Sequence, residues 1–141
     1  MSQYYQVGRV TLWNPSSGAS SLFLRQVALY EQETGLPSGI GTMESDEAEV
    51  SPALLGPFVT ALLAWRARTG HAVVQALSDG FIAVCLVLSD RAGVQVHWPE
   101  SRAEEMNQAH AWESTSPGAS ADEWQTRVHD QAGTLAGLMP R

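Results

Sequence analysis

Apolar residues are concentrated in one stretch of the chain, from His71 to Arg91, with the sequence HAVVQALSDGFIAVCLVLSDR. At helical spacing its apolar positions form one continuous stripe: Val74, Leu77, Phe81, Val84, Cys85 and Leu88. Arg91 and Gly93 follow as a cation and a residue suited to the left-handed conformation, which is a common way for a helix to end. The pattern therefore predicts a buried helix at the centre of the domain.

The same stretch also fits a pair of strands. Ser78-Asp79-Gly80 lies between two apolar runs, and Asp-Gly in that position is a strong hairpin signal. In this alternative the domain contains an antiparallel β-meander over residues 72–98. We favour the helix because its stripe is unbroken, whereas one glycine inside a helix costs only about 1 kcal/mol.

The chain before this stretch begins with a strand pattern and continues with a helix pattern. Residues Tyr4 to Trp13 are rich in aromatic and β-branched side chains, which predicts a strand bent at Gly8. A helix is expected next, capped by Ser17 or Ser20 and ending at Thr34-Gly35.

An acidic segment, MESDEAEV, occupies residues 43–50. Its alternation predicts a short edge strand with Ala48 and Val50 facing inward and Glu47 and Glu49 facing water. Charges on an edge strand discourage pairing with other chains, which is a sufficient structural reason for them. The functional alternative is a surface that recognises a cation or an arginine-rich partner.

Two helical segments are predicted between the acidic segment and the central stretch. Gly56-Pro57 interrupts the helical pattern, so we expect a short turn at residues 52–55 and a separate helix from Pro57 to Arg68. That helix and the central one are joined by a short connection and should form an antiparallel helical hairpin.

The chain after Gly93 carries weaker patterns. Residues 94–98 predict a strand, residues 100–113 a polar helix and residues 114–120 a linker. A further helix is expected from Ala121 to about Leu135. This organisation predicts an α+β, predominantly helical core domain at residues 1–98 and a peripheral helical segment at residues 99–141.

Charge and composition narrow the function classes. The 141 residues include 15 acidic and 8 basic side chains, and the net charge of -7 favours a basic protein partner over nucleic acid. The single cysteine, Cys85, lies in the apolar stripe, so a reducing compartment is expected. Since the N-terminus lacks a signal pattern and no apolar run approaches the ~20 residues of a membrane span, we expect a cytoplasmic protein without membrane contact.

Three motifs resemble those of an uncharacterised family of small acidic actinobacterial proteins: the opening MSQYYQVGRVTLWNPSSG, the loop LPSGIG before the acidic segment, and the run HAVVQALSDGFIAVCLVLSDRAG. The family shares a Leu-Trp-Asn-Pro-Ser motif before its first helix and a helix that starts near a histidine and ends in Arg-Ala-Gly. The resemblance covers residues 1–93 and implies the helical interpretation of residues 71–91. It implies no activity.

Candidate catalytic groups are few. His71 at a helix start, with Glu44 or Glu47 nearby, would act as a general base. His71 and Glu47 are the catalytic candidates if the protein is an enzyme. A histidine that caps the turn between two helices is the structural alternative, and we favour it. His110 and Glu113 have metal-ligand spacing but no third ligand. The sequence therefore predicts no cofactor and no metal, and it favours a protein that is not an enzyme.

The function we expect is that of a small acidic binding module, comparable to an immunity protein or an antitoxin that masks a basic surface. The expected recognition surface has seven residues: Tyr5, Trp13, Asn14, Glu44, Asp46, Glu47 and Glu49. The alternative is a small enzyme or ligand-binding protein of secondary metabolism, with a pocket around His71 that Tyr5, Trp13, Asn14 and Glu47 would also line. Both interpretations leave the formation of a homodimer open.

Overall fold

The computed structural model describes residues 2–100 and 121–141. In chain order it contains strands β1 (Tyr4–Val7) and β2 (Val10–Trp13), helix α1 (Ser17–Thr34), strand β3 (Glu47–Glu49), and helices α2 (Pro52–Arg68), α3 (Ala72–Arg91) and α4 (Ala121–Leu138). The predicted class, α+β and predominantly helical, is confirmed. The alternative β-meander over residues 72–98 is wrong because residues 72–91 form one helix.

The three strands form one small sheet with the order β2-β1-β3. β1 and β2 are antiparallel, and β3 lies parallel to the other side of β1. Gly8 has a φ of 58° and, with Arg9, turns the chain between β1 and β2. The predicted single bent strand from Tyr4 to Trp13 is therefore a hairpin of two strands, because the glycine reverses the chain instead of bending it.

α1 packs beside this sheet and has well-defined ends. It begins after Ser16, whose hydroxyl oxygen accepts a hydrogen bond from the Ala19 amide. The cap thus lies one residue before the first of the two predicted serines. The helix ends as predicted at Thr34-Gly35, where Gly35 takes the left-handed conformation with a φ of 71°.

α3 is the central helix, and its C-terminal half is the more buried part. Phe81, Cys85 and Leu88 lie in the core as predicted, and Gly93 follows with a φ of 68°. The first two turns are different, since Val73 is 60% exposed and Leu77 is 70% exposed. Leu77 is therefore wrongly placed in the predicted buried stripe: its part of the helix is not covered by the described residues.

α2 runs without a break through Pro57, so the predicted interruption at Gly56-Pro57 is wrong. A proline near the start of a helix removes one backbone hydrogen bond, and burial of the following turns compensates for that loss. Gly56 is buried, and an added Cβ there would lie 2.8 Å from a methyl carbon of Val94. The glycine thus lets residues 94–98 run closely past α2.

Residues 94–98 do not form the predicted strand. They lie against α2, where the His97 amide donates to the Thr60 hydroxyl at 3.2 Å. Trp98 then packs edge-on against Trp124, with 5.4 Å between the ring centroids. The sequence of this segment suits a strand, but the sheet lies elsewhere and offers it no partner.

Aromatic rings connect the sheet to the helices across the core. Tyr5 stacks on Trp13 at 5.4 Å, and the edge of Phe23 on α1 meets Trp13 at 5.3 Å. Phe23 in turn contacts Phe81 of α3 at 5.5 Å, and Tyr30 stacks on Phe81 at 4.6 Å. Phe81 is therefore the point where two aromatic residues of α1 meet the central helix.

α4 confirms the helix predicted to begin at Ala121 and extends it to Leu138. Trp124 and Val128 are buried in the same core cluster as the residues of α3. The division into a core at residues 1–98 and a peripheral segment at residues 99–141 stays a prediction, and these contacts lead us to expect that α4 adds stability to the core. The predicted helix at 100–113 and linker at 114–120 lie outside the described residues, apart from residue 100.

Arg91, the last residue of α3, connects the C-terminal end of α4 to the sheet through hydrogen bonds. Its guanidinium donates to the backbone oxygens of Leu12 at 2.7 Å, Ala136 at 2.9 Å and Met139 at 2.9 Å. Burial lowers the pKa of Arg91, and the nearby Arg141 acts in the same direction. The predicted helix-ending cation thus also satisfies three carbonyl groups.

α3 is long and apolar enough to cross a membrane, judged by length and composition alone. The expectation that no apolar stretch reaches that length is therefore wrong. Half of the window that passes this test is buried within the domain, and the core helices of soluble proteins pass it as well. The finding is weak evidence for a membrane location.

Two glycines offer a matched test of the backbone. Gly39→Ala should lower the free energy of unfolding, because φ is 80° there and an added Cβ would lie 2.7 Å from the Ser51 oxygen. Gly80→Ala should raise it by about 0.5–1 kcal/mol, because Gly80 lies inside α3 with open space around it. Urea unfolding of the two variants checks both signs. A stabilising Gly39→Ala would contradict the described loop.

Candidate functional site

The acidic segment forms the edge of the sheet next to β1, and its predicted alternation is present. Ala48 and Val50 are buried, whereas Glu47 and Glu49 are exposed. The Tyr4 amide donates to the backbone oxygen of Asp46 at 2.8 Å, which fixes the start of β3 against β1. We call the carboxylates of this segment the acidic edge: Glu44, Glu47 and Glu49, which are exposed, and Asp46, which is half-buried.

A tight turn precedes β3 and brings three of the carboxylates together. Ser45 and Asp46 both take left-handed conformations, with φ of 51° and 65°. The backbones of Glu44 and Glu47 exchange hydrogen bonds of 2.9 and 3.0 Å across this turn. Glu44, Asp46 and Glu47 therefore project from one compact loop.

Neutral donors hold the carboxylates of the acidic edge. The bonds run from Thr42 Oγ1 to Glu44 at 3.3 Å, from Gln3 Nε2 to Asp46 at 3.3 Å, from Gln6 Nε2 to Glu47 at 3.3 Å, and from the Gly8 amide to Glu49 at 2.7 Å. Among the described residues, none of these carboxylates forms an ion pair, and the salt bridge present lies between Arg66 and Asp79. No cation in the described part of the chain therefore pairs with the acidic edge.

The chain itself covers the outer side of β3. The Gly41 amide donates to the Glu49 backbone oxygen at 2.9 Å, and Ile40 pairs with Val50 in an antiparallel bridge. An edge covered in this way is already protected against pairing with another chain. The need to guard an open edge therefore explains less of the negative charge than the sequence alone indicates.

Tyr5 and Trp13, two of the predicted binding residues, lie beneath the sheet and not on its surface. Tyr5 has no exposed area, and its hydroxyl shares a hydrogen bond of 2.7 Å with the Ser20 hydroxyl. Burial raises the pKa of Tyr5, although the bond to Ser20 acts in the opposite direction. Trp13 is 8% exposed. The accessible part of the predicted surface is therefore the acidic edge.

Asn14 lies at the end of β2, against the C-terminal end of the chain. Its backbone amide donates to the Pro140 backbone oxygen at 2.8 Å. Its Oδ1 atom is enclosed and has no hydrogen-bond partner among the described residues. These contacts place Asn14 at the junction between the sheet and the residues that follow α4.

His71 and Glu47, the catalytic candidates, are not brought together. His71 is exposed at the N-cap of α3 and makes no side-chain capping bond. α3 has 20 residues, which is about 30 Å at 1.5 Å per residue. The end that touches the sheet is the opposite one, where Arg91 donates to Leu12. Glu47 instead accepts its hydrogen bond from Gln6 beside it.

An open groove of about 530 Å³ lies between α1 and the acidic turn. We call it the α1 groove; residues that line it include Gln3, Ser21, Leu24, Arg25, Ala28 and Met43. Leu24 and Met43 are half-buried and pack against the core beneath it. None of the five residues predicted for a catalytic pocket lines the groove.

A second charged cluster joins α2, α3 and α4, and no sequence motif indicates it. The Arg66 guanidinium donates to the Asp79 carboxylate through Nε at 3.0 Å, and Trp124 Nε1 donates to the same carboxylate at 3.1 Å. Arg66 also lies over the Trp124 ring at 4.0 Å from its centroid. Burial lowers the pKa of Arg66, and Asp79 partly reverses that shift. The cluster binds three helices together.

The remaining candidates for chemistry have structural surroundings. Cys85 is fully buried, and burial strongly raises the pKa of its thiol, which disfavours the nucleophilic thiolate. No three potential metal ligands gather among residues 2–100 and 121–141. His110 and Glu113 lie outside this part of the chain.

Comparison with known protein families shows the family to which the chain belongs. The chain belongs to a family of unknown function, DUF6086, whose model matches residues 1–141. The match extends past residue 93, where the motif resemblance ends. No curated protein and no solved structure matches the chain.

Proposed function

We propose that the protein is a binding module that uses the acidic edge to recognise and mask a basic surface on a protein partner, as an immunity protein or an antitoxin does. The observation that carries the proposal is a set of four carboxylates clustered on one edge, three exposed and one half-buried, with which no arginine among the described residues forms an ion pair. We further expect this encounter to take place in the cytoplasm of an actinobacterium.

Like charges held close together on the acidic edge cost electrostatic energy. Carboxylates that share one tight turn repel each other, and a cationic partner relieves that repulsion on binding. Such a surface also attracts a basic partner over a distance of about 10 Å at moderate salt. A clustered and rigidly held set of charges therefore supports steering and choice of a partner more than it supports folding.

The test is a comparison of two variants that each lose four negative charges. In the edge variant, Glu44, Glu47 and Glu49 become Gln and Asp46 becomes Asn. In the control variant, exposed carboxylates elsewhere are replaced in the same way: Glu33→Gln, Asp90→Asn, Asp122→Asn and Asp130→Asn. Wild type and both variants serve as baits in host lysate, and quantitative mass spectrometry compares the captured proteins.

We expect wild type and the control variant to capture the same basic protein and the edge variant to lose it. Thermal unfolding of all three baits must show that they are folded. The capture of an identical set of proteins by all three baits would contradict the proposal. A partner lost equally from both variants would show that net charge, and not the acidic edge, attracts it.

A further inference from the structure

The α1 groove has the length of a short extended peptide. Along α1 its lining runs from Ser17 to Ala28, on one face of the helix. At 1.5 Å per residue, the helix rises about 16 Å from Ser17 to Ala28, which is the length of about five residues of extended chain. The groove is therefore long enough to hold a peptide segment and open enough to admit one from the side.

The floor and walls of the groove differ in chemistry. Leu24, Ala28 and Met43 supply an apolar floor, and methionine adapts to side chains of different shape. On one wall, Gln3 donates to Asp46, and Met43 is followed in the chain by Glu44. The acidic edge thus begins at the residue that follows Met43 of the apolar floor, and its Asp46 is bound to Gln3 of the wall.

The opposite wall carries an arginine that is free to contact a ligand. Arg25 is exposed, and its guanidinium has no ion pair or hydrogen bond within the described part of the chain. A guanidinium in this position can donate to the backbone carbonyls of an extended peptide. The groove therefore offers polar contacts on both sides of an apolar floor.

We propose that the α1 groove holds an apolar side chain from a segment of the basic partner, flanked by Arg or Lys residues that meet Glu44 and Asp46. This inference rests on the proposed function and specifies the recognised segment. The acidic edge attracts the segment by charge, and the groove selects among cationic segments by the burial of one apolar side chain on Leu24 and Met43.

The test uses a displayed library of random nine-residue peptides, selected on the wild-type protein. Ala28→Trp fills the groove without removing a charge, because Ala28 is exposed and lines it. Ala19→Trp is the matched control, since Ala19 is exposed on the same helix but does not line the groove. The strongest selected peptide is synthesised, and its Kd is measured for all three proteins.

We expect the selected peptides to combine two or more cationic residues with one large apolar residue. Ala28→Trp should weaken the synthesised peptide by about tenfold or more, whereas Ala19→Trp should leave its Kd unchanged. Amide NMR shifts of the wild-type protein on titration with the same peptide should map to Ser21, Leu24, Ala28 and Met43. These shifts decide the matter if Ala28→Trp does not fold.

Each opposing outcome has a distinct meaning. The selected peptides could be cationic without an apolar preference and bind Ala28→Trp with the same affinity as wild type. That result would overturn the proposed role of the groove, while the acidic edge would keep its proposed role. Shifts that map away from the groove would overturn it in the same way. A library that yields no enriched peptide would also overturn it, and the capture comparison would then judge the proposed function by itself.

Discussion

Phe81→Ala is expected to lower the free energy of unfolding by about 3–5 kcal/mol, which is the usual cost of removing a large buried aromatic side chain. Phe81 is 2% exposed, stacks on Tyr30 at 4.6 Å and contacts Phe23 at 5.5 Å. The substitution would leave a cavity where α1 meets α3. Because a domain of this size has a total stability of about 5–15 kcal/mol, much of the protein would unfold at 37 °C. Urea unfolding followed by tryptophan fluorescence measures the change.

Leu77→Ala is the matched control on the same helix. Leu77 lies four residues before Phe81 but is 70% exposed, so its truncation should change stability by no more than about 0.5 kcal/mol. The two substitutions together test which face of α3 points into the core and which part of the helix is buried. Equal effects of the two substitutions would contradict the described orientation of the helix.

Asp79→Ala is expected to cost about 3 kcal/mol, the lower end of the range for breaking a buried ion pair. The loss would leave the Arg66 guanidinium charged without its partner, at a site where its side chain is 7% exposed. Trp124 Nε1 would also lose its acceptor. Thermal unfolding of the variant, compared with Asp90→Ala as a control with an exposed aspartate on the same helix, measures the effect.

The double variant Arg66→Met with Asp79→Leu separates two causes of that loss. If the cost comes from an unpaired buried charge, removing both charges should restore most of the stability. A double variant that is as unstable as Asp79→Ala would show instead that the hydrogen bonds of this cluster are themselves needed to hold α2, α3 and α4 together.

Local patterns were sufficient to predict several elements. The apolar spacing in residues 71–91 predicts one helix, and alternation in the acidic segment places Ala48 and Val50 inside. The ends at Gly35 and Gly93 also follow from sequence, because the left-handed conformation favours glycine. These features depend on residues that are near one another in the chain.

Other features depend on which surfaces meet, and no local pattern records that. Periodicity alone cannot show that Leu77 is exposed, because its exposure depends on which part of α3 the other elements cover. The cluster of Arg66, Asp79 and Trp124 comes from three helices, and Asp79 and Trp124 are 45 positions apart in the chain. The α1 groove likewise joins α1 to Met43 across the fold, so its position could be found only from the structure.

The position of the candidate site was partly predictable. Glu47 and Glu49 of the acidic edge are exposed as the alternation indicates, since charged side chains at a sheet edge point to water. Tyr5 and Trp13 were also expected on the recognition surface, but both are buried under the sheet. Both aromatic side chains pack into the hydrophobic core. Which face of the hairpin meets the core depends on the whole fold, so the sequence alone does not show it.

Recognition through the acidic edge is tested by the rate at which the protein associates with the captured basic partner. The rate is measured at salt concentrations from about 50 to 300 mM, a range over which exposed charges become strongly screened. We predict that the rate for wild type falls steeply with salt, that the control variant behaves similarly, and that the edge variant associates about tenfold more slowly at low salt with little salt dependence. An association rate for wild type that does not change across this range would contradict recognition through the acidic edge.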